Sequence, residues 1–280
     1  MRIHFCGVRG STPAPGVDFV RYGGQTSCVA VAHEGGERPT LVLDAGSGIQ
    51  RVTGLLEGEG FRGTIMLSHL HWDHLLGLPF FSGADREDGR TRMLIPDQGN
   101  GRVASETIGQ VMSPPFFPIE PTQLRGNWTF GTIEAGEREI EGFAVLAREI
   151  PHKGGRTFGY RIAAGGSTLA YLPDHCPTMV GAGEDGFGAY HPAAMELVEG
   201  ADVLVHDAQL LPAEQEAEAA YGHSVADYAV ELGRRGGVGE VVLFHHRPNR
   251  TDAELDALGE RLASEDPLVR VAVEGSAIDL

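Results

Sequence analysis

The sequence predicts an α/β fold on three observations. Short apolar, β-branched runs recur along the 280 residues, segments with helical spacing lie between them, and chargeable residues gather where the apolar runs stop. Layered α/β proteins build their sites at such strand ends. In chain order, "RIHFCG", "SCVAVA", "TLVLDAG" and "TIMLSH" read as strands closed by Gly, Ser or Asp. "RTFGYRIA", "STLAYLPD", "DVLVHDA" and "EVVLFHH" repeat the style in the second half. Residues 224–235 put Val225, Tyr228, Ala229 and Leu232 on one helical face, with Ser224 as N-cap. Residues 251–263 open on "TDAE", a capping box with Thr251 at N-cap and Glu254 at N3. No linker or low-complexity segment interrupts the pattern, so one domain over residues 1–280 is expected.

Hydrophobic residues make up 41% and charged residues 22%, enough for a sizeable core. Acidic residues outnumber basic ones 39 to 22, a formal charge of −17. Phosphate backbones are bound by clustered Lys and Arg, so long nucleic acid is not an expected partner. A bound cation would still dominate its own neighbourhood and attract a small anion. Cys6, Cys28 and Cys176 are odd in number, far apart and form no CxxC pair, which points to a reducing cytoplasm. The N-terminus "MRIHFCGVRG" has no apolar h-region and no run is long enough to cross a bilayer, so neither a leader nor a membrane segment is expected.

Three loops stand out. Residues 7–24 are Gly/Pro-rich and read either as a phosphate cradle or as a plain surface turn. Residues 83–92 form a charged, solvated connection. Residues 113–121, "SPPFFPIEP", carry Phe116 and Phe117, read first as packing or a homodimer contact and second as an apolar wall beside a site.

The densest chemistry is "MLSHLHWDHLLGLPFF" at 66–81, with His69, His71, Asp73 and His74 inside six positions. Alternate residues of an extended chain share a face, so His69, His71 and also Asp73 can project together, while His74 points elsewhere. One stretch can then serve two neighbouring ions. Imidazole with few carboxylates suits zinc, with manganese or iron as alternatives. Further ligand types wait at strand ends downstream: His152 after "FAVLAREI", Asp174 after "LAYL", and His245 or His246 after "VVLF".

With this HxHxDH stretch and the ligand order behind it, the sequence resembles the metallo-β-lactamase superfamily over nearly its whole length. The resemblance implies a four-layer αββα sandwich. It implies that His69, His71 and His152 hold one ion, that Asp73, His74 and His245 hold the other, and that Asp174 bridges. Asp44 in "LVLDAG" matches an acid of the family that orients a ligand loop. "LVHDAQ" at 204–209 resembles the His-Glu-Ala-Thr motif of the tRNase Z-like phosphodiesterases, and "GHSVADYA" at 222–229 resembles the stretch that follows it there. "GGQTSC" at 23–28 resembles their Asn-Thr-Ser segment. The carry-over makes His206 the general acid with Asp207 as its orienting partner, and gives Asp73 a catalytic as well as a ligand role. His223 reads either as an orienting group or as an exposed residue. One departure matters: the tRNA-clamping insertion of that branch is missing, because only 21 residues separate His152 from Asp174.

The expected function is therefore a dinuclear-zinc phosphodiesterase acting on a small or cyclic phosphodiester, through a hydroxide held between two ions. The alternatives are a carboxylic ester, lactone or thioester hydrolase of the same fold, and a non-catalytic metal-containing scaffold.

Overall fold

The computed structural model describes residues 1–36, 38–266 and 268–280. Its first sheet uses β1 (Arg2–Gly7), β2 (Cys28–Ala32), β3 (Leu41–Leu43), β4 (Arg62–Met66), β5 (Arg90–Pro96), β6 (Trp128–Ile133) and β14 (Ala277–Asp279), in the order β14-β1-β2-β3-β4-β5-β6. The second uses β7 (Gly136–Ile140), β8 (Phe143–Ile150), β9 (Thr157–Ala164), β10 (Ser167–Leu172), β11 (Val203–Asp207), β12 (Glu240–Phe244) and β13 (Val269–Val271), in the order β13-β12-β11-β10-β9-β8-β7. Each sheet is half antiparallel and half parallel. The strands from β3 to β6 run parallel, as do those from β10 to β13.

The burial pattern explains the layering. Every residue of β2, β3 and β11 is buried, as strands covered on both faces require. Phe5, Val29, Val31, Phe158, Tyr160 and Val205 fill the space between the sheets. Behind the second sheet, α4 (Pro192–Val198), α6 (Ala226–Gly236) and α7 (Asp252–Glu265) pack Leu197, Leu232 and Leu255 against Leu204 and Leu243. Behind the first, the short α1 (Ile49–Val52), α2 (Trp72–Leu75) and α3 (Ala104–Gly109) cover Ile65, Met93 and Ile95. A further turn, α5 (Gln215–Glu218), lies in the connection after β11. Helix, sheet, sheet, helix is the expected αββα order. No helix among the described residues is long and apolar enough to cross a membrane.

Two helix starts test the capping expectations. At α7 the box is present: Thr251 Oγ1 accepts from the Glu254 N–H at 3.3 Å, and the Glu254 carboxylate accepts from the Thr251 N–H at 2.8 Å. At α6 the expectation is corrected. The cap is Val225, with no side-chain bond. Ser224 is committed elsewhere, its hydroxyl donating to the His175 carbonyl at 2.6 Å and its N–H to Asp207 Oδ2 at 3.2 Å.

Candidate active site

The residues of interest all follow strand ends on one rim of the sandwich. Asp44 follows β3, His69 follows β4, His152 follows β8, Asp174 follows β10, Asp207 closes β11 and His245 follows β12. Ligand crevices of open α/β sheets lie outside the carboxyl ends of their strands for the same reason: side chains there escape the sheet while their backbone stays fixed. After His71 the chain makes the single turn of α2, which swings Asp73 and His74 to the far side of the cluster.

Four groups of donor atoms form, each within 4.8 Å: His69, His71 and His152; Asp73, His74 and His245; His69, His74 and Asp174; and Asp174 with Asp207, His223 and His245. His71 Nδ1 and His152 Nε2 are 3.3 Å apart, as are His74 Nε2 and His245 Nε2. Asp174 stands between the first two groups, with Oδ2 at 2.6 Å from His74 Nε2 and 3.4 Å from His69 Nε2, and Oδ1 at 3.4 Å from His245 Nε2. Asp73 Oδ2 lies 3.0 Å from His245 Nε2.

The surroundings fix which ring nitrogen faces inward. Asp44 Oδ2 accepts from His74 Nδ1 at 2.8 Å, from the Ser68 hydroxyl at 2.9 Å and from the Tyr171 hydroxyl at 2.8 Å. Ser68 Oγ in turn lies 3.0 Å from His69 Nδ1, and the Gly222 carbonyl accepts from His152 Nδ1 at 2.7 Å. The Nε2 lone pairs of His69, His74 and His152 therefore face the cluster. Asp44 and His245 both adopt left-handed backbone, at φ 62° and 57°. Such strain in non-glycine residues gathers at functional sites.

This donor set fits metal ions. His69 Nε2 and both Asp174 oxygens are buried without a hydrogen-bond partner among the described residues. Facing lone pairs and orphaned carboxylate oxygens are costly unless a cation lies among them. Burial, reinforced by neighbouring imidazoles, pushes His69 and His71 below the usual imidazole range, and burial does the same to His152. Ligand imidazoles must be neutral, so burial prepares them. Burial opposes ionisation of Asp174, yet the imidazoles gathered around it outweigh that cost and hold the carboxyl well below its usual value.

His246 is turned away and donates Nε2–H to the Ala272 carbonyl at 2.9 Å, so of the two candidates it is His245 that faces the cluster.

The general-acid expectation for His206 is corrected by its position. His206 is fully buried, donates Nδ1–H to the Asp207 carbonyl at 2.7 Å and accepts at Nε2 from His175 Nδ1 at 3.0 Å. Both nitrogens are used, and neither reaches the donor cluster. Asp207, one residue on along the strand, points to the opposite face and meets the site. Its Oδ2 lies 3.1 Å from His223 Nδ1, which also lies 3.0 Å from Asp174 Oδ1. No protein atom among the described residues hydrogen-bonds His223 Nε2, and His223 lines a cavity of about 650 Å³ with His71, Asp73 and Asp174. Strand alternation in "VLVHD" is the signal that separates His206 from Asp207. His175, Ser68, Tyr171 and Ser11, whose N–H donates to Asp73 Oδ2 at 2.7 Å, carry no motif of their own.

The family profile "Beta-lactamase superfamily domain" matches residues 62–246. A ribonuclease Z from Bradyrhizobium sp. (strain ORS 278) is 31% identical over 262 residues, covering 79% of this chain and 84% of the relative. In fold, the chain is similar to the metallo-β-lactamase fold protein YhfI from Bacillus subtilis, with TM-score 0.71, 15% identity and 99% of each chain covered. It is also similar to the short form of human tRNase Z, with TM-score 0.68, 19% identity, and 100% of this chain and 99% of that one covered. The chain belongs to the metallo-β-lactamase superfamily, on its ribonuclease Z-like side, and is a metal-dependent hydrolase.

Proposed function

We propose that the protein hydrolyses phosphodiesters, with a small or cyclic phosphodiester as substrate and two zinc ions at the site. The observation that carries this reading is the Asp207–His223 pair. Asp207 holds the Nδ1 side of the ring at 3.1 Å, while Nε2 is left to the cavity that Asp73 and Asp174 also line. A proton donor so placed serves a poor leaving group, and an alkoxide leaving phosphorus is a poor one. His69, His71 and His152 would hold one ion, and Asp73, His74 and His245 the other, with Asp174 between them. Bound there, the ions would supply Lewis acidity toward a phosphoryl oxygen and lower the pKa of water. His223 holds a proton at Nε2 for the departing oxygen, and Asp207 keeps the ring oriented. Ser11 N–H and His245 steady Asp73. An imidazole-rich donor set favours zinc over manganese or iron.

A second reading, RNA as substrate, is favoured by the ribonuclease Z relative at 31% identity. That relative removes the footing of the charge-based exclusion of long nucleic acid. A net charge of −17 averages the whole surface and says little about a site whose own ions would reverse the local sign. The short β9–β10 connection between His152 and Asp174, with no inserted arm, favours the small substrate. A zinc-loaded protein assayed against bis(p-nitrophenyl) phosphate, cyclic nucleotides, a structured RNA, a lactone and a thioester separates the readings. Turnover of the phosphodiesters is expected. Turnover confined to the lactone or thioester would refute the proposal.

A further inference from the structure

We infer that Trp72 and Tyr221 form an aromatic rim that stacks a planar ring carried by the substrate, a nucleobase or an aryl group joined to the reacting phosphate. The inference rests on the phosphodiesterase reading and adds the chemistry of the group beside the phosphorus. Trp72 is 71% exposed and Tyr221 68% exposed, although large aromatic side chains bury most of their area in ordinary packing. Both line the cavity that holds Asp73, Asp174 and His223. The contrast with Trp128 is informative. That indole stacks on Phe130 and donates Nε1–H to the Arg125 carbonyl at 2.9 Å. Among the described residues, neither Trp72 nor Tyr221 stacks on another ring or uses its polar atom in a hydrogen bond.

Their backbones are held firmly. Trp72 sits between His71 and Asp73 at the start of α2. Tyr221 precedes Gly222, whose carbonyl accepts from His152 and whose φ of 99° favours glycine, and a Cβ there would stand 3.2 Å from the His152 ring. Each ring is thus one residue from a part of the site that cannot shift, which is what a recognition platform needs. The remaining rim offers no free guanidinium or ammonium group among the described residues. Arg247, the basic side chain lining the cavity, is tied to Glu214 at 2.8 Å and Glu218 at 2.5 Å. With that charge neutralised, the free aromatic faces are left to select the non-phosphate part. Stacking accepts every base, so the rim predicts preference for a ring over an aliphatic group and little preference among bases.

The test uses the metal-loaded full chain with Trp128→Phe, so that indole fluorescence reports Trp72 alone. Adenosine 5′-monophosphate and ribose 5-phosphate are titrated, two product-like phosphates that differ by the base. Expected is quenching by the nucleotide and binding about tenfold tighter than the sugar phosphate, the size of one base on one ring. Trp72→Ala, followed by calorimetry, should bring the nucleotide to the level of the sugar phosphate, with the sugar phosphate and the metal content unchanged. Phenyl phosphate should follow the nucleotide if any planar ring suffices. Equal affinities in the parent protein would overturn the inference. So would discrimination that survives Trp72→Ala while the sedimenting mass falls, which would assign the ring to contact between two copies. Intact discrimination in a protein that hydrolyses no phosphodiester would support the rim and sink the hydrolytic reading instead.

Discussion

At Asp44 one carboxylate gathers the Nδ1–H of His74, the hydroxyls of Ser68 and Tyr171, and the Ser68 N–H. It touches no substrate space, yet it sets the tautomer of His74 directly and of His69 through Ser68. Asp44→Asn turns one acceptor oxygen into a donor and forces at least one of these bonds apart. Metal affinity should fall by roughly 10–100-fold, the usual cost of losing a ligand's supporting partner. Competition with a chelating dye measures it. His206 belongs to a different account. Removing its ring leaves His175 Nδ1–H buried without an acceptor, so His206→Ala should cost about 1–3 kcal/mol in urea unfolding. Metal content should stay close to that of the parent protein, because no atom of His206 reaches the cluster.

Among the elements, the loop after β1 packs directly against the site. A Cβ on Gly10 would stand 2.3 Å from the His245 ring, so Gly10→Ala must displace that imidazole. The expected result, by elemental analysis, is loss of the ion proposed at Asp73, His74 and His245 before any loss of the other. At α7, Thr251→Ala removes a capping bond and should cost about 1 kcal/mol without touching activity, read as a lowered Tm. This capping box is legible from "TDAE" because every bond in it is local. The HxHxDH cluster is legible because four ligand types fall within six positions, whereas the turn of α2 that carries Asp73 away from the face of His69 and His71 is not. The acid is less so. "VHDAQ" and "GHSV" each offer a histidine, and only the face on which β11 presents Asp207 decides between them. Ser224 illustrates the opposite failure: a good cap by propensity was claimed by two tertiary bonds, to His175 and Asp207. Propensity is a weak prior where tertiary partners compete.

Over the whole molecule, acidic charge dominates, and Asp44, Asp73, Asp174 and Asp207 lie buried at one rim. Divalent cations bound there would offset carboxylates whose ionisable partners in the cluster are imidazoles. Chelation should therefore lower Tm. A ligand at a hundred times its Kd contributes about 2.7 kcal/mol, which for a chain of this size corresponds to a shift on the order of 5–10 °C, restored by added zinc. A melting curve indifferent to chelator would contradict the placement of ions at this rim.

The central claim is that a proton from His223, held by Asp207, reaches the leaving oxygen of a phosphodiester. The most direct test compares kcat/KM across phosphodiesters of rising leaving-group pKa for the parent protein, His223→Ala and His206→Ala, all metal-loaded. His223→Ala is predicted to lose roughly 10²–10⁴-fold on alkyl leaving groups and far less on p-nitrophenolate, giving a steeper dependence on leaving-group pKa. His206→Ala is predicted to keep the parent slope. A His223→Ala protein with the parent slope, or a steepened slope in His206→Ala, would contradict the account.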